Sequence, residues 1–320
     1  MLTLAYTSEK GGVVKTGSTT MHAVLLAAAL ASVGKRVLVF DMDPQAHTGK
    51  FLGHSRDAHV GPTIKDVILD ETGALSLKDI IVQTYIHPET AQFVDAKQTT
   101  EKVVRGPDLV PITLAANSLD FDMKSRLAYW PDRMAEVLQP VLDDYAYGLF
   151  DCPPGLLAPT MSVYSAVNFL AFPVTPDVLG VEGLQGAIGA MQKAQKRNTT
   201  LRAAGAFFNK VHNWRTDKNV MEQVAELLRQ SPLDVPLLET SIPESKDYNE
   251  AITDDGSLVV LSRPQSKCAR SYWYVLNNLL DRIGGPAQPL VRDIVLSMKQ
   301  EDQRLEEERR QSRKALQRGV

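Results

Sequence analysis

The chain has 320 residues, 44% apolar and 23% charged, enough for one large α/β domain or two smaller ones with a full core. A formal charge of −3 and a pI near 6.1 exclude a globally basic nucleic-acid coat, so any contact with DNA has to come from a local patch. The only cysteines, Cys152 and Cys268, exclude a disulfide framework and a CxxC metal site, which points to a reducing cytoplasm.

In chain order, residues 2–7 read as a short apolar strand, followed by a glycine-bearing loop and an Ala/Leu-rich helix running to about Ser32. The longest strongly apolar run, 23–31, falls short of the roughly 20 residues of a bilayer span. Met1 leads straight into the first strand without a basic stretch, so neither insertion nor export is expected. Gly34 stops the helix, and residues 36–40 form a continuous apolar strand ending at Asp41, the pattern of a strand covered on both faces in a parallel sheet. The stretch 54–106 is more polar and lacks a clear period; Ile64–Leu69 and 77–82 read as short helices, and the stretch as a whole as peripheral. Buried strands recur at 147–150, 169–174 and 203–208 with helix-length segments between them. That alternation predicts an α/β fold, a doubly wound and mostly parallel sheet flanked by helices.

From Lys267 a packed helix is expected, because Cys268, Tyr272, Val275, Leu279 and Ile283 repeat at helical spacing and Gly284-Gly285-Pro286 ends it. After Pro289 the charge is mixed, Glu306 stands one turn before Arg310, and apolar positions such as Leu290, Ile294, Met298 and Leu305 are sparse. We therefore expect a main domain over 1–287, with 54–106 peripheral within it, and a charged, solvated helical extension over 288–320.

Between the first strand and helix stands Glu9-Lys10-Gly11-Gly12-Val13-Val14-Lys15-Thr16, a context in which backbone amides and a helix N-terminus can hold a polyphosphate. The ordinary formula GxxxxGK[ST] fails at both glycines, where Glu9 and Val14 stand. What the segment resembles is the deviant Walker A motif of the ParA/MinD ATPases, KGGxxK[ST], with Lys10 as the signature lysine. The resemblance extends over roughly 1–283 and implies a P-loop NTPase fold of the deviant Walker A type. It places the nucleotide on Lys10, Gly11, Gly12, Val13, Val14, Lys15, Thr16 and Gly17. The family usually has glycine where Val14 stands and threonine where Gly17 stands. A β-branched residue resists positive φ and crowds the backbone's approach to phosphate, so weakened binding or slow hydrolysis is expected.

Asp41-Met42-Asp43-Pro44-Gln45 follows the second strand and resembles the family's DxDPQ element. Carboxylates at the carboxyl ends of parallel strands face the ligand crevice. The resemblance implies that Asp43 holds the attacking water and that Asp41 lies near the magnesium shell. Residues 147–155, ending Asp151-Cys152-Pro153-Pro154-Gly155, look like a Walker B strand and switch loop: Asp151 serves magnesium-bound water, and Pro153, Pro154 and Gly155 sense the γ-phosphate. Asn209 and Pro243 match positions that the family sets against the adenine base, while Asp177 and Glu182 match a stretch of interface or ribose contacts.

The resemblance thus implies an ATPase using ATP and Mg²⁺. Lys15 contacts the β- and γ-phosphates, Thr16 ligates the metal, and Lys10 reaches phosphates held by a second subunit of a homodimer. It further implies DNA partition, plasmid or chromosomal: an ATP-bound dimer on non-specific DNA, released when a ParB-type partner stimulates hydrolysis, in the cytoplasm on the nucleoid. Lys246, Arg263, Lys267 and Arg270 are the candidates for DNA, by phosphate contacts. The run Arg309, Arg310, Arg313 and Lys314 is balanced by Glu306, Glu307 and Glu308 and reads as a solvated helix. No helix-turn-helix precedes the loop, so operator binding is not expected. Two alternatives stand: a relative that positions a protein cargo, as MinD does, although residues 300–320 are too polar for a lipid-binding helix, and a scaffold locked around a nucleotide it hydrolyses slowly.

Overall fold

A parallel strand covered by helices on both faces has no wet side, so its sequence runs apolar without alternation. The computed structural model, which describes residues 1–95, 102–212 and 214–318, places such strands at the centre. In chain order the strands are β1 (Leu2–Tyr6), β2 (Val37–Asp41), the short β3 (Tyr85–Ile86), β4 (Phe93–Val94) and β5 (Val104–Arg105), then β6 (Asp108–Val110), β7 (Tyr147–Asp151), β8 (Phe169–Val174) and β9 (Arg202–Phe208). Six of them form one sheet in the order β6-β2-β7-β1-β8-β9, all pairs parallel, while β3 lies between β4 and β5 in a small antiparallel sheet.

The helices that cover the sheet begin with α1 (Lys15–Leu30), α2 (His47–Phe51), α3 (Ile64–Leu69), α4 (Leu77–Ile80), α5 (Leu119–Arg126), α6 (Arg133–Leu138) and α7 (Ala158–Ala166). They continue with α8 (Val178–Ala194), α9 (Trp214–Gln230), α10 (Lys246–Thr253), α11 (Val259–Ser262), α12 (Lys267–Ile283) and α13 (Ala287–Arg318). Successive strand residues alternate between two cores. Ala5, Leu38, Phe40 and Phe150 pack with Met134 of α6, Tyr164 of α7 and Leu184 of α8. Leu4, Tyr6, Val37 and Val39 pack with Leu26 of α1, Leu276 of α12 and Val291 of α13. Each fully buried Leu, Val or Phe stabilises the fold by roughly 1.5–3 kcal/mol relative to an exposed one.

The expected strands and the sheet class are all present, and β6 is an addition. Its Asp108, buried between apolar neighbours, accepts from Arg105, Arg36 and Tyr145 Oη, and that charge hides the strand from an apolar-run search. Within 54–106, α3 and α4 do belong to the core, since Ile64, Val67, Ile68, Leu77 and Ile80 are buried in it. Only the stretch around β3, β4 and β5 is peripheral. The boundary expected after residue 287 is also corrected: α13 starts inside the main body, with Ala287, Val291 and Val295 buried against α1 and α12. The charges at Glu306, Arg309, Arg310, Arg313 and Lys314 lie outside the described side chains. Residues 15–33 are long and apolar enough to cross a bilayer by length and hydropathy, but 67% of that stretch is buried inside the protein, as a core helix is.

Candidate functional site

The carboxyl ends of β1, β2, β7 and β9 meet at one edge of the sheet, where an open α/β fold forms its crevice. The loop leaving β1 turns through Gly12 at φ 82° and Val14 at φ 61°, ψ 39°, and hands over to α1 at Lys15. No side chain caps that helix, and no acidic residue stands in its first turn, so its free amides and positive dipole end face the crevice. Val14 therefore does occupy the left-handed region that its branched side chain disfavours, a strain of roughly 1–2 kcal/mol held by the surrounding packing.

Lys15 is only 7% exposed, and its ammonium donates to the Lys10 carbonyl at 3.1 Å. Burial lowers its pKa, opposed by the nearby carboxylates of Asp151 and Asp43. Lys10 is half exposed, with Nζ 3.7 Å from Glu182 of α8. Gly11 and Gly12 are exposed, Val13 is buried, and Thr16 is half-buried in the first turn of α1.

Asp41 and Asp151 end the adjacent strands β2 and β7 in register with one another, and both are buried. Asp151 Oδ2 accepts from Thr48 at 2.9 Å, while its Oδ1 is buried with no partner among the described residues. Burial pushes the Asp151 pKa up to about 6, the hydroxyls of Thr16 and Thr48 and the Lys15 charge pulling it back. Asp41 is raised further, first by burial and then by Asp151. Its two oxygens accept from the amides of Asp43 at 3.3 Å and Gly49 at 2.9 Å, so it holds the turn that carries Asp43. Asp43 is half-buried and accepts from the Gln45 amide. The following loop has Cys152 and Pro153 buried, Pro154 exposed and Gly155 at φ 90°, a backbone that glycine adopts without strain.

An unpartnered buried carboxylate oxygen beside a threonine hydroxyl, a half-exposed carboxylate and a buried ammonium suits a hard cation with phosphate oxygens. No cluster of three or more His, Cys, Asp or Glu able to hold a metal is found among the described residues, so a nucleotide's own oxygens and water would complete the shell. Magnesium fits, and transition metals that need several side chains do not.

Beside the loop lies a cavity of about 340 Å³ lined by Val14, Asn209, Pro243, Tyr248, Cys268 and Tyr272 among others. Asn209, 2% exposed, donates to Ser18 of α1 at 3.0 Å and accepts from the Lys210 amide, which ties the end of β9 to α1. Asn209 and Pro243 thus stand with Val14 around one cavity. Thr48, Tyr248 and Tyr272 were not legible in the sequence; a hydroxyl three residues after the DMDPQ segment was the one local hint, and the tyrosines arrive by tertiary packing alone.

The basic candidates divide. Lys246 and Lys267 are exposed, at the first turns of α10 and α12. Arg263 is bound by Glu250, Asp255 and Asp247. Arg270, with 8% of its side chain exposed, pairs with Glu301 at 3.0 Å and Asp302 at 3.2 Å and donates to the Met298 carbonyl. The expectation that these two arginines meet DNA is corrected: carboxylates of the same chain neutralise both. Asp177 caps α8 by accepting from the Gly180 amide at 2.7 Å, a local structural role.

A family model described as an AAA domain matches residues 1–203. The chain is 29% identical over 272 residues to the sporulation initiation inhibitor protein Soj of Bacillus subtilis, covering 84% of this chain and 94% of that one. It is 27% identical over 280 residues to the chromosome partitioning protein ParA of Myxococcus xanthus, covering 87% and 88% respectively. Among solved structures, an ATP complex of a Cyanothece McdA variant superposes with a TM-score of 0.68 at 19% identity, over 88% of this chain and 96% of that one.

Proposed function

The chain belongs to the ParA/Soj-type ATPases of the ParA/MinD superfamily, and from that premise we propose that it is a DNA-partition ATPase whose ATP-bound homodimer holds non-specific DNA until a ParB-type partner stimulates hydrolysis. The observation that carries the nucleotide half of this reading is the unpartnered Asp151 Oδ1 beside Thr16, below an uncapped helix N-terminus. Magnesium bound there with the nucleotide would supply charge neutralisation at the β- and γ-phosphate oxygens.

The chain's own groups supply the rest. Amides of Gly11, Gly12, Val13 and Val14 and of the first turn of α1 cradle the phosphates. Lys15 exchanges the Lys10 carbonyl for phosphate oxygens, and Thr16 and Asp151 are the residues that would hold the metal. Asp43, the half-exposed carboxylate of the set, orients the attacking water toward the γ-phosphate. Asn209 and Pro243 seat the adenine base, and Gly155 offers its amide to the γ-phosphate, ordering the loop from Pro153. Lys10 serves the partner's phosphates and leaves Glu182 to do so. Lys246 and Lys267 supply the DNA contacts, giving salt-dependent retention.

A second reading, a scaffold that binds ATP and turns it over slowly, is favoured by one observation, the left-handed Val14. Measuring steady-state phosphate release with Mg²⁺, alone and with DNA and a ParB-type partner, tests the proposal: stimulated release, abolished by Asp43→Asn, is expected of the partition ATPase, and an unstimulated trickle in every condition would favour the scaffold.

A further inference from the structure

Gly17 lies inside the first turn of α1, where glycine costs about 1 kcal/mol relative to alanine and the helical backbone does not ask for it. Space asks for it. A Cβ at residue 17 would stand 2.5 Å from Tyr248 Oη and 2.7 Å from Val14 Cγ1, closer than packed atoms allow. Tyr248, on α10, thus lies over the start of the nucleotide-loop helix. It also lines the 340 Å³ cavity, together with Pro243 and Tyr272 of α12. Tyr272 is fully buried in the same lining, and its hydroxyl has no partner among the described residues. An unpaired buried hydroxyl is destabilising until a ligand or water satisfies it.

We propose that Tyr248 and Tyr272 select the base of the bound nucleotide: the Tyr248 side chain, its hydroxyl end over Gly17, walls the slot that takes the base, and the Tyr272 hydroxyl hydrogen-bonds a ring nitrogen of a purine there. This rests on the reading of the loop as an ATP site and adds the determinant of base choice to it. Aromatic walls favour a large planar base over a small one, and a buried hydroxyl in the lining separates bases by the groups they present on their edge. Val14, Gly17 and Tyr248 act as one steric unit, so a change at one is corrected only at another.

The test is competitive binding of Mg-ATP, Mg-CTP and inorganic triphosphate to the full chain and to Tyr248→Ala, Tyr248→Leu, Tyr272→Phe, Gly17→Ala and Gly17→Ala/Tyr248→Phe. The proposal expects Tyr248→Ala to lower the preference for ATP over CTP by about tenfold, with triphosphate affinity unchanged, and Tyr272→Phe to shift it less in the same direction. Tyr248→Leu, which keeps a core-sized side chain, loses the same preference and decides the matter if the alanine variant does not fold. Gly17→Ala weakens all nucleotides by roughly tenfold, and adding Tyr248→Phe recovers part of that loss. An ATP-to-CTP ratio unchanged in Tyr248→Leu and Tyr272→Phe overturns the proposal while leaving the ATP site intact. Failure of the unaltered chain to bind Mg-ATP overturns the site itself.

Discussion

Asp41 and Asp151 stand directly across from each other at the ends of β2 and β7, two buried carboxylates on neighbouring parallel strands. Burial holds both pKa values above the ordinary range, and the Asp151 charge adds to the rise at Asp41. Asp151 keeps an oxygen without a partner among the described residues, while both Asp41 oxygens hold backbone amides.

Replacing Asp151 by Asn removes the repulsion without changing shape. The empty protein is expected to melt at the same temperature or a few degrees higher at neutral pH, while Mg²⁺-dependent ATP affinity falls by about tenfold or more. Thermal melts in EDTA and binding titrations in Mg²⁺ check both halves, and a variant that binds Mg-ATP normally would remove Asp151 from the metal shell.

Val14 carries strain that glycine would not. Val14→Gly exchanges roughly 1–2 kcal/mol of left-handed strain for the smaller entropy cost of glycine and the loss of a partly buried side chain, so net stability is expected to change by less than about 1 kcal/mol. The functional effect is larger: faster single-turnover hydrolysis, as the backbone gains closer approach to phosphate. An unchanged rate would show that Val14 does not limit turnover.

Arg270 and Lys267 separate stability from DNA binding. Arg270→Ala removes the guanidinium that ties Glu301, Asp302 and the Met298 carbonyl of α13 to α12, and is expected to cost roughly 1–3 kcal/mol and loosen α13. Denaturant titration and hydrogen exchange along α13 measure this. Lys267→Glu, on an exposed side chain, should leave stability within about 0.5 kcal/mol and lower ATP-dependent DNA retention, with a smaller salt slope.

His22 sets part of the acid limb of stability. It is fully buried between Tyr6, whose hydroxyl pairs with Nδ1 at 2.6 Å, and the edge of Tyr272, and burial lowers its pKa from 6.5 to about 3. The folded state therefore refuses a proton that the unfolded chain accepts below about pH 6.5. Its contribution is complete above that pH and is lost as pH falls toward about 3, with a slope of about one proton. Unfolding free energies from pH 4 to 7 should show a limb shallower by about one proton in His22→Gln. An identical limb in the variant contradicts the assignment.

Much of the fold was legible because strands covered on both faces leave uninterrupted apolar runs, and β1, β2, β7, β8 and β9 all do. β6 was hidden by the buried Asp108, whose partners come from distant parts of the chain. In α13 the apolar positions picked from the sequence, Leu290 and Ile294, lie one residue off the stripe that is buried, Val291 and Val295, so the helix read as wetter than it is. The loop, Asp43 and Asp151 could be found because motif residues are contiguous. The fate of Arg263 and Arg270 could not, since an arginine's charge looks the same in a sequence whether DNA or Glu301 meets it. Tyr248 left no trace either, except the unexplained glycine at position 17.

The proposed cycle requires that ATP held by one subunit be closed over by Lys10 of another. Sedimentation of the purified chain with Mg-ADP and with a slowly hydrolysed ATP analogue, for the unaltered protein and Lys10→Ala, tests it most directly. The expected result is a monomer with ADP, a dimer with the triphosphate, and a monomer throughout for Lys10→Ala that still binds nucleotide. One unchanging mass in every state, or dimers that form as well without Lys10, would contradict it.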